Sequence, residues 1–524
     1  MRRFIITGAP GAGKTAIIRQ TSAASYLSLV AGPEERRSVS CYRPRRMSKR
    51  GTAMTLRLLV LAVGILTATT GVARQRSGGS PNILVIIADD WGYPHAGVYG
   101  DKVVRTPTFD RVARDGVLFR QAYAAAPSCT PSRASLLTGR APHELAEGGN
   151  LWSTLPSRFE VYPDLLERAG YTIGHTRKGW GPGNFETGGR KRNPAGPQFA
   201  SFDAFYSQAP KDKPFCFWFG STDPHRPYDG GSGQAAGLKA EPVSVPAFLP
   251  DTPEVRNDLL DYYAEVERLD REAGAILRTL EQAEQLDNTL IVFTSDNGMP
   301  FPRAKANLYD GGTHVPLAIR FPGRAKAGQR RDDFVVLTDL APTILEAAGL
   351  TPPLMTGRSL VPLLAGSGQP NRDRVFVERE RHAQVRRGDL SYPARAVRTG
   401  RFLYIRNFRP ERWPAGDPEM YFAVGPFGDI DGGPSKDLLL ERRNDPAIAR
   451  FFGLATAKRP AEELYDLRTD PGQLENVAAR SEYARDKAAL KAMLEQWMRD
   501  TQDPRVSQDD DRWDKYPYYG NPGK

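Results

Sequence analysis

The sequence predicts an α/β protein: a large domain with a mostly parallel central sheet flanked by helices, then a smaller C-terminal α+β domain. Three observations carry this. Continuous apolar runs that end in carboxylates, ILVIIADD (83–90) and NTLIVFTSDNG (288–298), read as parallel strands buried on both faces. Helix-like stretches alternate with such runs, the longest from Arg256 to Leu280. Beyond about residue 370 the texture changes to short β segments, RVFVERERH (374–382), YPARAVRTG (392–400), RFLYIRNF (401–408) and AEELYDL (461–467), closed by a helix from Glu482 to Arg499. The expected organisation is a leader over 1–46, a signal peptide and linker over 47–80, a catalytic domain over 81–370, and a small domain with its tail over 371–524.

The leader explains the charge. The chain has 524 residues, 72 Lys and Arg against 61 Asp and Glu, and a net charge of +11. Fourteen basic and two acidic side chains fall within residues 1–80, so the rest is close to neutral. No nucleic-acid partner is expected from such a body. Three cysteines exclude a disulfide scaffold, and 40% apolar residues exclude a disordered or collagen-like chain. Gly8-x4-Gly13-Lys14-Thr15 matches a phosphate-binding loop, but no periodic apolar pattern follows it to complete a nucleotide-binding fold, so residues 1–46 read as a spurious or fused leader. Met47 or Met54 opens a segment with Lys49, Arg50 and Arg57, followed by the uncharged run LLVLAVGILTATTGVA (58–73). Basic, apolar, then small residues are the pattern of a secretory signal peptide. The run is short of the roughly 20 residues that span a bilayer. The expectation is export to the periplasm or the exterior, with no stable membrane anchor.

In the main body, a strand at 83–90 precedes a helix from Thr108 to Asp115, the β segment VLFRQAYA (117–124) and a helix from Pro131. YPDLLERAG (162–170) is a short helix leading into the strand YTIGHT (171–176), and PFCFWFGS (214–221) is another buried strand with Cys216 in the core. Asp89, Asp90, Asp223, His225, Asp296 and Asn297 all fall at strand carboxyl ends, where α/β sheets place their sites. The tail DDDRWDKYPYYGNPGK receives no function.

The chemistry points to PSCTPSRASLLTGR (127–140). Thr130 is a natural N-cap and Pro131 a natural first helical residue, so Cys129 faces the positive end of a helix, with Arg133 one turn in. Cys129-Thr-Pro-Ser-Arg133 followed by Leu137-Thr-Gly-Arg140 resembles the signature of the sulfatases. PNILVIIADDWG, GYTIGHTRKGWGPG, STDPHRPY, FTSDNGMPFPRAKANLYDGG and ELYDLRTDPGQLENVA resemble blocks of that family in the family's order. The resemblance covers roughly 81–500, and SDNG-x-PFP, Asn307-Leu-Tyr and YPARAVRT are most similar to its sulfamidase branch.

The resemblance implies an alkaline-phosphatase-like fold and a hydrolase that releases sulfate from a sulfated sugar, in glycosaminoglycan degradation or a related setting. Cys129 would be oxidised to formylglycine by a maturation enzyme. Asp89, Asp90, Asp296 and Asn297, hard oxygen ligands at two strand ends, would hold Ca²⁺ together with the residue-129 oxygen. Arg133, Lys178 and Lys305 would stabilise charge on the nucleophile and the sulfuryl oxygens, and His225 would protonate the leaving group. One departure stands out. Arg177-Lys178-Gly-Trp180 carries Trp180 where the family usually has a second histidine, so either His225 works alone or another histidine substitutes, with His175, His314 and His382 as candidates. His382 and Trp180 are expected to face substrate, Trp91 to line a sugar surface or pack, and His95 and His143 to be structural. A phosphonate monoester or phosphodiester hydrolase of the same superfold, and a catalytically silent glycan-binding protein, are the alternatives.

Overall fold

The apolar run from Asn82 to Ala88 is the centre of an eight-stranded sheet, and all seven of its side chains are buried. Ile83, Val85 and Ile87 enter one apolar cluster while Leu84, Ile86 and Ala88 enter another. A period-two strand covered on both faces has no polar alternation, which is why the run is unbroken. The computed structural model describes residues 79–422, 425–506 and 510–520, all within one unit spanning Arg76–Lys524. The phosphate-loop pattern and the signal peptide therefore lie outside the described residues.

From one edge the sheet runs Gln198–Phe199, Thr172–Arg177, Phe215–Gly220, Asn82–Ala88, Thr289–Ser295, Leu317–Arg320, Val117–Phe119, Gln329–Arg331. Only Leu317–Arg320 runs against its neighbours in this sheet. The segment 117–124, expected as one β element, is split. Val117–Phe119 joins the large sheet, and Ala122–Tyr123 pairs with Val335–Val336 instead. One face is covered by the 30-residue helix Pro253–Gln282, whose start is fixed by Pro253 and by the Thr252 hydroxyl accepting from Val255 N–H. The other face is covered by Cys129–Thr138, Tyr162–Arg168 and Leu340–Ala347.

A second, antiparallel sheet follows in the order Arg374–Arg379, Ala394–Thr399, Phe402–Asn407, Glu462–Asp466. Helix Ala484–Asp500 packs on one face through Leu490, Leu494 and Met498. The other face meets Tyr123, Leu308, Tyr309 and Phe334. Two helices absent from the sequence reading, Pro434–Glu441 and Pro446–Thr456, are inserted before the last strand.

A buried charge network joins this sheet to the rest. Arg395 binds Asp503 at 2.6 Å, Glu378 at 2.9 Å and Glu380 at 2.8 Å. Arg505 binds Glu380 at 2.8 Å, and His143 Nδ1 lies 3.0 Å from Glu378. Three carboxylates face two guanidiniums, so the network is neutral only with His143 protonated. Burial opposes that charge, but Glu378 and Asp503 outweigh it and lift the imidazole from 6.5 to about 9. The folded state thus holds the proton more tightly than the unfolded chain. This contribution, on the order of 3 kcal/mol, is complete below about pH 6.5 and is lost as pH rises through about 9. The thermal midpoint is expected to fall between pH 7 and 10, with this part of the fall missing in His143→Gln.

Candidate active site

Ala88 lies opposite Ser295 in the parallel register, so the residues that follow, Asp89-Asp90 and Asp296-Asn297, emerge side by side. Asp90 adopts a left-handed backbone (φ 78°), which is costly for a residue with a Cβ. It is held there by its N–H donating to Asp296 Oδ1 at 3.1 Å and by Trp91 N–H donating to Ser295 Oγ at 2.7 Å. Asp296 Oδ1 also accepts from Asn297 N–H at 2.9 Å, while Oδ2 accepts from Arg133 Nε at 2.7 Å.

The helix carrying Cys129 starts two residues earlier than its cap signals suggest. Ser128 is the N-cap, Cys129 is the first helical residue and Pro131 the third. Proline is tolerated there because first-turn N–H groups have no intrahelical acceptor to lose. The expected cap, Thr130, instead turns its hydroxyl to the Pro182 carbonyl. Ser128 Oγ does not cap either; it lies 2.8 Å from His382 Nδ1. Gly139 ends the helix with φ 67°, and a Cβ at that point would lie 2.5 Å from Met355 Sδ, which explains the glycine of Leu-Thr-Gly-Arg.

Around Cys129 the predicted residues converge. Cys129 Sγ is 3.5 Å from Asp89 Oδ1. Lys178 Nζ donates to both Asp89 oxygens at 2.7 and 2.6 Å. Lys178 follows the strand Thr172–Arg177 and crosses so close to Gly220 that a Cβ there would overlap its carbonyl oxygen. Arg133 is fully buried; besides Asp296 it donates to the carbonyls of Lys178 and Gly179, each at 2.9 Å. Lys305 Nζ bridges Asp90 at 2.7 Å and Asp431 at 3.0 Å. His225 Nδ1 donates to the Arg226 carbonyl at 2.6 Å, turning Nε2 to within 3.9 Å of Asp90.

Electrostatics follow from this packing. Burial pushes the Asp89 carboxyl up, but Lys178, then His225 and Arg133, outweigh it and hold it well below the ordinary carboxylate range. Burial, reinforced by Asp89 and Asp296, pushes the Cys129 thiol well above its usual range despite Lys178. Cys129 in this setting is a thiol rather than a thiolate.

The donor set fits a divalent cation. Asp89, Cys129 and Asp296 present ligand atoms within 4.8 Å of one another. Asn297 Nδ2 donates to Asp90 Oδ1 at 2.7 Å, whereas its Oδ1 is buried with no partner among the described residues. An orphaned acceptor among carboxylates is a hard-oxygen position that a divalent cation could take. A neighbouring cluster, Asp90, His225 and Asp431, already holds a cation, the Lys305 ammonium.

Asp89, Lys178, His175, Trp180 and His225 line a cavity of about 620 Å³. Trp180 is nearly buried, its backbone N–H and carbonyl both bonded to the Asn193 amide at 2.9 and 2.8 Å. Trp91 is buried in the core with its indole N–H on the His95 carbonyl, so packing accounts for it. His314 is sandwiched between Tyr93 and Tyr123 and pushed down to about 4 by burial. His382 is likewise pushed down to about 4. Cys216 is a buried core thiol. A larger cavity, about 830 Å³ beside Phe334, Met493 and Trp497, contains none of these groups.

Sequence reasoning missed Asp431 and Ser128. Asp431 comes from the irregular segment 425–433, anchored by Asp429 on Arg379 at 2.6 Å and on Arg386 at 2.5 Å. Only its Asp-Gly-Gly turn marked the spot.

A family model described as Sulfatase matches residues 81–350, and one described as N-sulphoglucosamine sulphohydrolase, C-terminal, matches 303–418. Human N-sulphoglucosamine sulphohydrolase is 31% identical over 494 residues, covering 84% of this chain and 94% of that protein. An ulvan-active sulfatase of Formosa agariphila is 28% identical, covering 80% of this chain and 74% of its own. Among solved structures, BT4656 in complex with its substrate D-glucosamine-2-N,6-O-disulfate aligns at TM-score 0.61 and 20% identity, covering 82% of this chain and all of that one. A phosphonate monoester hydrolase of Agrobacterium radiobacter aligns at 0.56 and 21%, over 80% of this chain and 96% of its own. With a family model spanning more than half its length and a relative aligned almost end to end, the chain belongs to the sulfatase family of sulfuric ester and sulfamate hydrolases.

Proposed function

We propose that the protein releases sulfate from a sulfated amino sugar, with the N-sulfate of glucosamine as the favoured bond, through a formylglycine made from Cys129 by a maturation enzyme. The observation that carries this is the convergence of Arg133, Lys178 and Asp89 on a buried thiol at a helix start, in a chain 31% identical to human N-sulphoglucosamine sulphohydrolase. A hydrated aldehyde made from Cys129 would supply two hydroxyls, one as the nucleophile toward sulfur and one whose deprotonation expels sulfate and restores the aldehyde. Arg133 and Lys178 hold negative charge on that oxygen and on the sulfuryl group, and Lys305 holds it from the Asp90 side. His225 Nε2, the more open end of the imidazole, protonates the departing nitrogen or oxygen.

Asp89, Asp90, Asp296 and Asn297 Oδ1 would hold Ca²⁺, which when bound supplies a Lewis acid at the sulfuryl oxygens. Calcium added to chelator-treated protein is expected to raise the thermal midpoint, because a ligand that binds only the folded state stabilises it. Asn297→Ala, which removes the orphaned oxygen, is expected to abolish most of that rise.

The basic and apolar segment 47–73 supports export, and among the described residues no helix is long and apolar enough to cross a membrane. Sequencing the N-terminus of protein from its native host tests this, with a start near residue 74 expected.

The deciding experiment pairs mass spectrometry of the tryptic peptide Gln121–Arg133 with turnover assays. An aldehyde at 129 and faster release of sulfate from glucosamine N-sulfate than of alcohol from a phosphonate monoester support the proposal. An intact thiol in protein from the native host, or preference for the phosphonate, overturns it.

A further inference from the structure

The C-terminal tail, to which the sequence assigned nothing, reaches the wall of the 620 Å³ cavity. Trp152 lines that cavity alongside Lys178 and His225 and is half-buried, unlike Trp91 and Trp180. It stands in a left-handed conformation, φ 53°, a cost its surroundings must meet. The tail meets it. Tyr519 N–H donates to the Trp152 carbonyl at 2.7 Å, and the Tyr518 ring lies 6.3 Å from the indole. Arg381 closes the clamp: its guanidinium donates to the carbonyls of Tyr516 and Pro517 at 2.8 and 3.0 Å, and its own carbonyl accepts from Leu151 N–H at 3.0 Å. Trp513, fully buried, anchors the segment through its carbonyl to Asn150 Nδ2 at 2.9 Å.

Beyond the sulfuryl end, the cavity's cations are already neutralised. Arg268 makes two bonds of 2.7 Å to Asp223, and Arg177 binds Glu272 at 2.5 and 2.7 Å. A ligand there presents an uncharged body, and a rigid indole beside polar groups suits a pyranose ring. We propose that Trp152, clamped by tail residues Trp513–Tyr519, is the platform on which the sugar ring of the substrate stacks, so that the C-terminal tail is part of the substrate site. This rests on the reading of the protein as acting on a sulfated sugar.

The test is calorimetric titration of glucosamine N-sulfate, and separately of inorganic sulfate, into the full chain with Cys129 left as a thiol, so that nothing turns over, and with calcium in every sample. Trp152→Ala is expected to weaken the sugar sulfate about tenfold and inorganic sulfate less than twofold. Trp152→Phe restores most of the loss. A chain ending at Lys515, which keeps Trp513, shows the same selective weakening, with its thermal midpoint confirming that it is folded. Unchanged affinity for the sugar sulfate in folded Trp152→Ala overturns the platform. So does weakening of both ligands in step, which would make Trp152 a support of the sulfate cradle. If the native chain binds inorganic sulfate but not the sugar sulfate, the sulfated-sugar reading fails, and the platform with it.

Discussion

Alanine in place of Cys129 is expected to lower sulfate release to below about one-thousandth of the native rate, because it removes the thiol without which the side-chain carbon cannot be oxidised to the proposed aldehyde. The fold tolerates the change. The side chain is small, and among the described residues its sulfur makes one long hydrogen bond, 3.5 Å to Asp89. Deleting it costs about 1 kcal/mol of burial, well within the stability of a chain of this size. Released sulfate measured by ion chromatography, beside a thermal melt, separates loss of chemistry from loss of fold. Retention of more than about a tenth of the activity would remove Cys129 from the mechanism.

Arg133→Ala has the second largest effect, and it strikes stability and catalysis together. The guanidinium has no solvent exposure, and it is the buried partner of Asp296 at 2.7 Å with Asp89 at 3.7 Å. Without it those carboxylates lose the cation set between them, and Asp89 keeps Lys178, His225 and Lys305. Removing one partner of a buried pair costs about 3–5 kcal/mol, which in a folded unit of this size lowers the midpoint by about 3–5 °C. Loss of a preorganised cation beside the proposed nucleophile is expected to lower turnover a further hundred- to thousandfold. Arg133→Lys recovers little, because one ammonium cannot reach both Asp296 and the two carbonyls that the fork spans. A lysine variant with native stability and activity would show that position 133 needs only a charge.

The parts of the site legible in the sequence are those built from strand ends and one helix start. Asp89-Asp90 and Asp296-Asn297 announce themselves because these strands, buried on both faces, carry no charged residue until they leave the sheet. The parts that were not legible come from irregular backbone. Thr130 and Pro131 are both good start signals, yet the helix begins at Cys129, since Pro131 fits the third position as well as the first. Asp431 is carried by a loop with no periodicity, held by Asp429 and two arginines distant in sequence. Tyr516–Tyr519 contribute backbone carbonyls and an N–H, groups every residue owns, so their composition could not reveal the contact. The segment 117–124 divides because its two halves meet different partners, a tertiary choice that local alternation does not encode.

The sealing of Cys129 sets an order of events in time. In the finished fold the thiol is 2% exposed and the residues on its helix, Thr130 to Thr138, are buried with it. The groups that close over it arrive late: Asp296 lies 163 positions after Arg133, and His382 lies 254 after Ser128. If Cys129 is matured as proposed, the oxidising enzyme has access only while those later segments are still unplaced. Maturation and folding would then compete for the same interval, and a molecule that closes first would stay in the thiol form. Slower closure, by a weakened strand Thr289–Ser295 or a lower temperature, should raise the converted fraction in newly made protein. Adding the maturation activity to folded thiol protein should leave that fraction unchanged.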